Sequence, residues 1–122
     1  MDLRIQLVRL AIQRDFSHDL NIEELARPTN LSISYLCHLF KSEIGLTPAQ
    51  YIKSLRMQET KLLLSTTFLS VKEIMNLVGI ANSSHFCHDF TRLYGRTPTG
   101  YRLAKRLSNV VEPGQSTILD KE

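Results

Sequence analysis

Cysteine and histidine stand side by side twice, as Cys37-His38 and Cys87-His88, fifty residues apart. Thiolate and imidazole are both metal ligands, so a split zinc site is one chemistry the pairs suggest. Zinc needs four ligands converging in a tetrahedron, with bonds of about 2.0–2.3 Å. Neighbouring residues on a helix diverge by about 100°, so neither pair can close on one ion. The alternative is that the pairs mark two copies of one structural unit. Elsewhere the chain offers no Ser/His/Asp constellation, no Gly-rich phosphate loop and no paired carboxylates. Asp89 lies near His88 only as a helix neighbour. The pattern therefore predicts no enzyme, no bound metal and no cofactor.

The surrounding residues favour duplication. Aligning 34–56 with 84–106 gives nine identities in 23 positions: Ser34/Ser84, Cys37/Cys87, His38/His88, Phe40/Phe90, Gly45/Gly95, Thr47/Thr97, Pro48/Pro98, Tyr51/Tyr101 and Arg56/Arg106. Average residue usage would give about one or two. Upstream the offset falls to 49, pairing Ile22 with Val71, Glu24 with Glu73, Leu25 with Ile74 and Leu31 with Ile80. One residue has been gained in the second turn. A unit used twice is the simplest account.

Helical periodicity runs nearly throughout, and strand-type alternation is absent. Leu3, Leu7 and Ala11, with Val8, Ile12 and Phe16, predict a first helix over about 3–16. Asn21 with Glu24 resembles a capping box for a second helix, which Pro28 should end near Arg27. Ser32 caps a third helix over about 33–44, stopped by Gly45. Thr47-Pro48-x-Gln50 is a strong helix start. It opens a long fourth helix over about 48–65, with Ile52, Leu55, Leu62 and Leu63 expected inside. Ser70 with Glu73 caps a fifth helix, ended by Gly79. Asn82 or Ser83 opens a sixth, stopped by Gly95. Thr97-Pro98 opens a seventh, expected to end near Arg106. Residues 107–122 mix Pro, Gly and Ser without a period and are expected to be a disordered tail.

The fold class expected is all-α: seven helices in two helix-turn-helix subdomains, 1–55 and 66–106, joined by a linker helix over 48–65. In such a unit the second helix is the one that enters a DNA major groove. The third and sixth helices have matching faces. Ile33, Leu36, Phe40 and Ile44 share one side of the third; Ser34, His38 and Lys41 lie opposite, with Cys37 on the flank. In the sixth, Phe86, Phe90 and Tyr94 oppose Ser84, His88 and Thr91, with Cys87 on the flank. Phe40, Phe86, Phe90, Tyr51 and Tyr101 are core candidates. Any surface helix has a wet face, so periodicity alone leaves a purely structural helix open.

Charge adds a little. The chain carries +3 with a pI near 9.0. The last sixteen residues hold a net −2, so residues 1–106 carry +5. This mildly favours a polyanionic partner. No apolar run approaches the roughly 18–20 residues of a membrane span, and the N-terminus is no signal peptide. A cytosolic location is expected, with both cysteines reduced.

The second unit, GIANSSHFCHDFTRLYGRTPTGYR, resembles the signature of the AraC/XylS family of bacterial transcription regulators. Gly79, Asn82, Ser84, Phe86, Phe90, Gly95, Thr97, Pro98, Tyr101 and Arg102 carry the likeness. The first unit is similar through Ser32, Leu36, Phe40, Gly45, Thr47-Pro48, Tyr51 and Arg56. The likeness covers residues 5–104. It implies sequence-specific binding of double-stranded DNA. Two recognition helices would enter successive major grooves about 34 Å, or 10 bp, apart. It implies activation through RNA polymerase more often than repression, and a separate N-terminal sensor or dimerisation domain. No such domain stands in these residues, so a stand-alone small regulator or a C-terminal fragment is expected, and the start within the first helix pattern leans toward the fragment. The expected DNA contacts are Ser34, Cys37, His38, Lys41, Ser83, Ser84, Cys87, His88 and Arg92, with Arg56 and Arg102 as phosphate neutralisers. Lys53 and Arg106 are further cationic candidates. Helix N-termini at Ser32, Thr47, Asn82 and Thr97 could add free N–H groups toward phosphate.

Three departures from the family pattern matter. Histidine replaces the usual arginine at 38 and 88, Thr91 stands where lysine is common, and Pro28 is unusual in the second helix. Arginine binds guanine bidentately and is always charged; histidine offers fewer donors and titrates near neutrality. A weaker basic front also suits an alternative: a helix-turn-helix derivative that docks on protein instead of DNA.

Overall fold

The computed structural model describes residues 1–111, with side chains through 108. Among these residues there are seven α-helices and no strand: α1 (Leu3–Asp15), α2 (Ile22–Ala26), α3 (Ile33–Ile44), α4 (Pro48–Thr66), α5 (Val71–Val78), α6 (Ser83–Tyr94) and α7 (Pro98–Val111). A single 3-10 turn, Arg27–Thr29, follows α2. The chain divides into two compact units. Unit 1 holds Met1–Glu59 with Leu77–Gly79, and unit 2 holds Thr60–Asn76 with Ile80 onward. The boundary falls within α4 and again near the end of α5, so both helices belong to both units.

Local capping sets the helix starts. Ser32 Oγ accepts from the Tyr35 N–H at 3.1 Å, and Asn82 Oδ1 accepts from the His85 N–H at 2.9 Å. At α4 the box is reciprocal: the Gln50 N–H donates to Thr47 Oγ1 (3.2 Å) and the Thr47 N–H to Gln50 Oε1 (3.0 Å). Ser70 and Glu73 repeat this at α5, at 2.8 and 3.0 Å. Each cap satisfies N–H groups that a helix start leaves without a partner. The Ser70 N–H holds the Glu73 carboxyl below its ordinary range. Asn21 caps α2 by accepting from the Glu23 N–H, at 2.8 Å.

Pro28 has no N–H to continue the α2 ladder, so the chain tightens into the 3-10 turn there. Gly45 and Gly95 close α3 and α6 in the left-handed region, each donating its N–H to the carbonyl four residues back at 2.8 Å. α7 runs five residues past its expected end at Arg106. Ala104, Lys105, Arg106 and Leu107 are strong helix formers, and the next breaker in the sequence is Pro113. The remainder of the expected tail, 112–122, lies outside the described residues.

The core of unit 1 is Ile5, Val8, Ile12, Ala26, Leu36, Phe40 and Ile52, with Tyr51 set edge-on to Phe40 at 5.7 Å. Unit 2 buries Thr60, Leu64, Ile74, Met75, Phe86 and Phe90. Phe90 is ringed there by Phe86, Tyr94 and Tyr101 at 4.7–5.9 Å. All three core phenylalanines are thus buried, and the two tyrosines pack on them half-buried. One expected inward residue is outside: Leu62 is 53% exposed, while Met57 and Leu64 fill the interior instead. On α1 the regularly spaced Leu3 and Leu7 are 71% and 58% exposed, and Ile5 is buried.

Candidate nucleic-acid interface

α3 and α6 are both twelve residues long and sit in matching registers. Leu36 and Phe40 hold the back of α3, and Phe86 and Phe90 hold the back of α6 at repeat-equivalent positions. With those backs fixed, a rotation of 100° per residue turns Ser34, His38 and Lys41 outward on α3. Ser84, His88 and Arg92 are turned outward on α6 in the same way. Cys37 is half-buried and Cys87 exposed, both as free thiols on the flank. Six of the eleven expected contact residues therefore lie on the two helix fronts, the two cysteines lie on the flanks, and Ser83 sits exposed in the first turn of α6 on the Phe90 side.

Arg92 lies 3.6 Å from Asp89 in a loose ion pair, its side chain 69% exposed. At that exposure the pair contributes little and leaves the guanidinium accessible. Thr91, expected on the front, donates its hydroxyl to the Cys87 carbonyl at 2.8 Å and is half-buried against its own helix.

Arg56 and Arg102 are placed elsewhere. Arg56 donates from Nε to the Phe16 carbonyl (2.7 Å) and from Nη2 to the His18 carbonyl (2.9 Å). Arg102 donates to the carbonyls of Leu64 (3.1 Å) and Thr67 (3.2 Å), and Arg106 also reaches Thr67, at 2.7 Å. Burial lowers the Arg56 and Arg102 pKa values from the ordinary range. Their donors satisfy backbone carbonyls at helix ends and loops. These hydrogen bonds hold each guanidinium against the backbone of its own unit, which it braces.

A match to the family model of a helix-turn-helix domain covers residues 25–104. The chain belongs to the AraC/XylS family of transcription regulators. Among the similar proteins is the raffinose operon regulatory protein RafR of Pediococcus pentosaceus, 37% identical over 91 residues. The regulator YdiP of Escherichia coli is 34% identical over 101 residues. These stretches are 75% and 83% of this chain but only 33% of each relative, so the AraC-type chain spans about a third of their length. In structure it is similar to the C-terminal domain of AraT, a response regulator from Geobacillus stearothermophilus. That match has a TM-score of 0.79 and 28% identity, covering 99% of this chain and 94% of the other. It is also similar to the DNA-binding domain of AdpA in complex with a target DNA. There the TM-score is 0.78 at 25% identity, covering 91% and 99%.

Two exposed front residues of this AraC-type chain went unread in the sequence: Tyr35, half-exposed, and His85 at the equivalent position. Each supplies the N–H that its helix cap accepts. Their place beside Ser34 and Ser84 was the available signal. The bracing role of Arg56 and Arg106 had one too, because arginine is identical in both repeats. Among the described residues no three His, Cys, Asp or Glu side chains gather as a metal ion would need. None of the described helices is long and apolar enough to cross a membrane.

Proposed function

We propose that this chain is a sequence-specific double-stranded DNA-binding domain of a transcription regulator, and that α3 and α6 are its recognition helices. The supporting observation is the pair of equivalently capped helices with apolar backs and polar outward fronts. In this reading Ser34, Cys37 and His38 face base edges from α3, and Ser83, Ser84, Cys87 and His88 do so from α6. Lys41 and Arg92 neutralise phosphate. The two helices enter successive major grooves, about one helical turn apart. The similarity to a domain solved with its target DNA supports this assignment. Within a longer protein, a sensor or dimerisation domain and contact with RNA polymerase, leading to activation, complete the proposal.

Binding to duplex DNA across a salt series tests it. With roughly six phosphates neutralised, log K falls against log salt with a slope near −5. A slope near zero would exclude nucleic acid. His38→Ala and His88→Ala each weaken specific binding, by about tenfold if the imidazole makes one good base contact. Both variants leaving specific affinity unchanged would remove the histidines from the site.

A further inference from the structure

We infer that the two fronts recognise the same short base sequence, so that the preferred DNA carries one word twice. This rests on the DNA-binding reading above. The three residues assigned to base edges on α3, Ser34, Cys37 and His38, recur as Ser84, Cys87 and His88 on α6. Identical side chains read identical bases only if they are presented alike, and the structure supplies a common helix frame for all three, with Cys37 half-buried where Cys87 is exposed. Both helices are capped by the residue just before them, through the N–H three positions on, at 3.1 and 2.9 Å. Both close on a left-handed glycine. Both are seated by fully buried side chains at the same two register positions, 36 and 40 against 86 and 90. Within each unit the three residues therefore occupy the same place relative to their own helix frame.

Most of the exposed differences fall at the edges. Lys41 corresponds to Thr91, whose hydroxyl is turned to its own helix, and Ser42 corresponds to Arg92. Both pairs lie one turn beyond the shared residues. At the other end Ile33 corresponds to Ser83, and between the shared residues Tyr35 corresponds to His85. The shared centre thus predicts a shared word, and the edges predict different flanks. Four residues of helix rise by about 6 Å, or about two base-pair steps, so the word is about three base pairs long. Imidazole N–H suits a purine N7 or guanine O6 acceptor. A small thiol suits the thymine methyl group, and serine adapts to either.

Selection from random duplexes with the wild-type chain, H38R and H88R provides the test. Circular dichroism of each variant checks folding first, since both positions are exposed. Wild type should enrich one word of about three base pairs twice, on the same strand or on opposite strands. Arginine should move the preference at one position toward guanine by about tenfold. H38R should do this in one copy of the word, and H88R at the corresponding position of the other copy. Two unrelated words in the wild-type pool, or variants shifting to different bases, would overturn the inference while leaving DNA binding intact. No enrichment at low salt would instead remove the DNA-binding reading itself, and this inference with it.

Discussion

The two sequence repeats share backbone conformation at their turns but tolerate different side chains there. Asn30 in unit 1 and Gly79 are repeat-equivalent, and both have positive φ, 60° and 85°. Asn30 is exposed. At Gly79 a Cβ would stand 2.6 Å from the Ser17 carbonyl oxygen. One position therefore needs only a residue that accepts the left-handed region, which asparagine does. The other needs the absence of a side chain altogether. The backbone conformation is common to both repeats; a neighbour remote in sequence, Ser17, decides which residue can adopt it.

The bracing arginines differ in the same instructive way. Arg56 and Arg106 are identical in the repeat, and each sends Nη2 to an equivalent carbonyl, His18 or Thr67. In unit 1 Arg56 works with two carbonyls of its own. In unit 2 the Thr67 carbonyl is shared with Arg102, which occupies the position of the buried Ile52. Unit 2 has exchanged a core aliphatic for a second clamp, and its aromatic cluster is correspondingly larger.

These contrasts can be broken in order of size, following far-UV circular dichroism in urea because the chain has no tryptophan. Phe40→Ala and Phe90→Ala should each cost about 4 kcal/mol, since both rings are fully buried. A difference above about 2 kcal/mol between them would show that the richer ring cluster of unit 2 changes the cavity cost. Gly79→Ala should cost about 3 kcal/mol through backbone strain and the clash with Ser17, whereas Asn30→Gly stays within about 0.5 kcal/mol. Equal costs would mean that the Ser17 carbonyl yields readily.

Arg56→Lys should cost about 2 kcal/mol by leaving two carbonyls without their charged donor. Arg106→Lys should cost about half that, because Arg102 still serves Thr67. Ser32→Ala and Asn82→Ala should each remove about 1 kcal/mol, and by similar amounts, as matched caps. The smallest effect concerns pH. Glu73 is held below its ordinary range by the Ser70 cap, and Asp2 at about 2 by Arg4. A lowered folded pKa favours the carboxylate in the folded state. The contribution is therefore complete at neutral pH and fades as acid carries each group through its folded pKa. Glu73→Gln should flatten part of the acid limb in a melting series from pH 6 to about 2. An unchanged limb would discount the cap as its source.

What the residues alone disclosed was the local part. Caps at Ser32, Thr47, Ser70 and Asn82, stops at Gly45 and Gly95, and the apolar backs of α3 and α6 depend on neighbours three or four residues away. Those contacts are fixed by spacing, so reading the sequence finds them. The polar fronts followed as the opposite faces, and six of the expected contact residues stand on them. Folding in three dimensions decided the rest. Leu3, Leu7 and Leu62 obey helical spacing yet lie outside, because packing picks one stripe among several apolar ones. Arg56 and Arg102 were read as surface charge, but their partners are carbonyls 35–40 residues away in sequence. The need for glycine at 79 comes from Ser17, more than sixty residues earlier. Spacing along a chain encodes who is near on one helix. Only closure of the core brings remote backbone within hydrogen-bond or van der Waals reach, and that is where these roles were set.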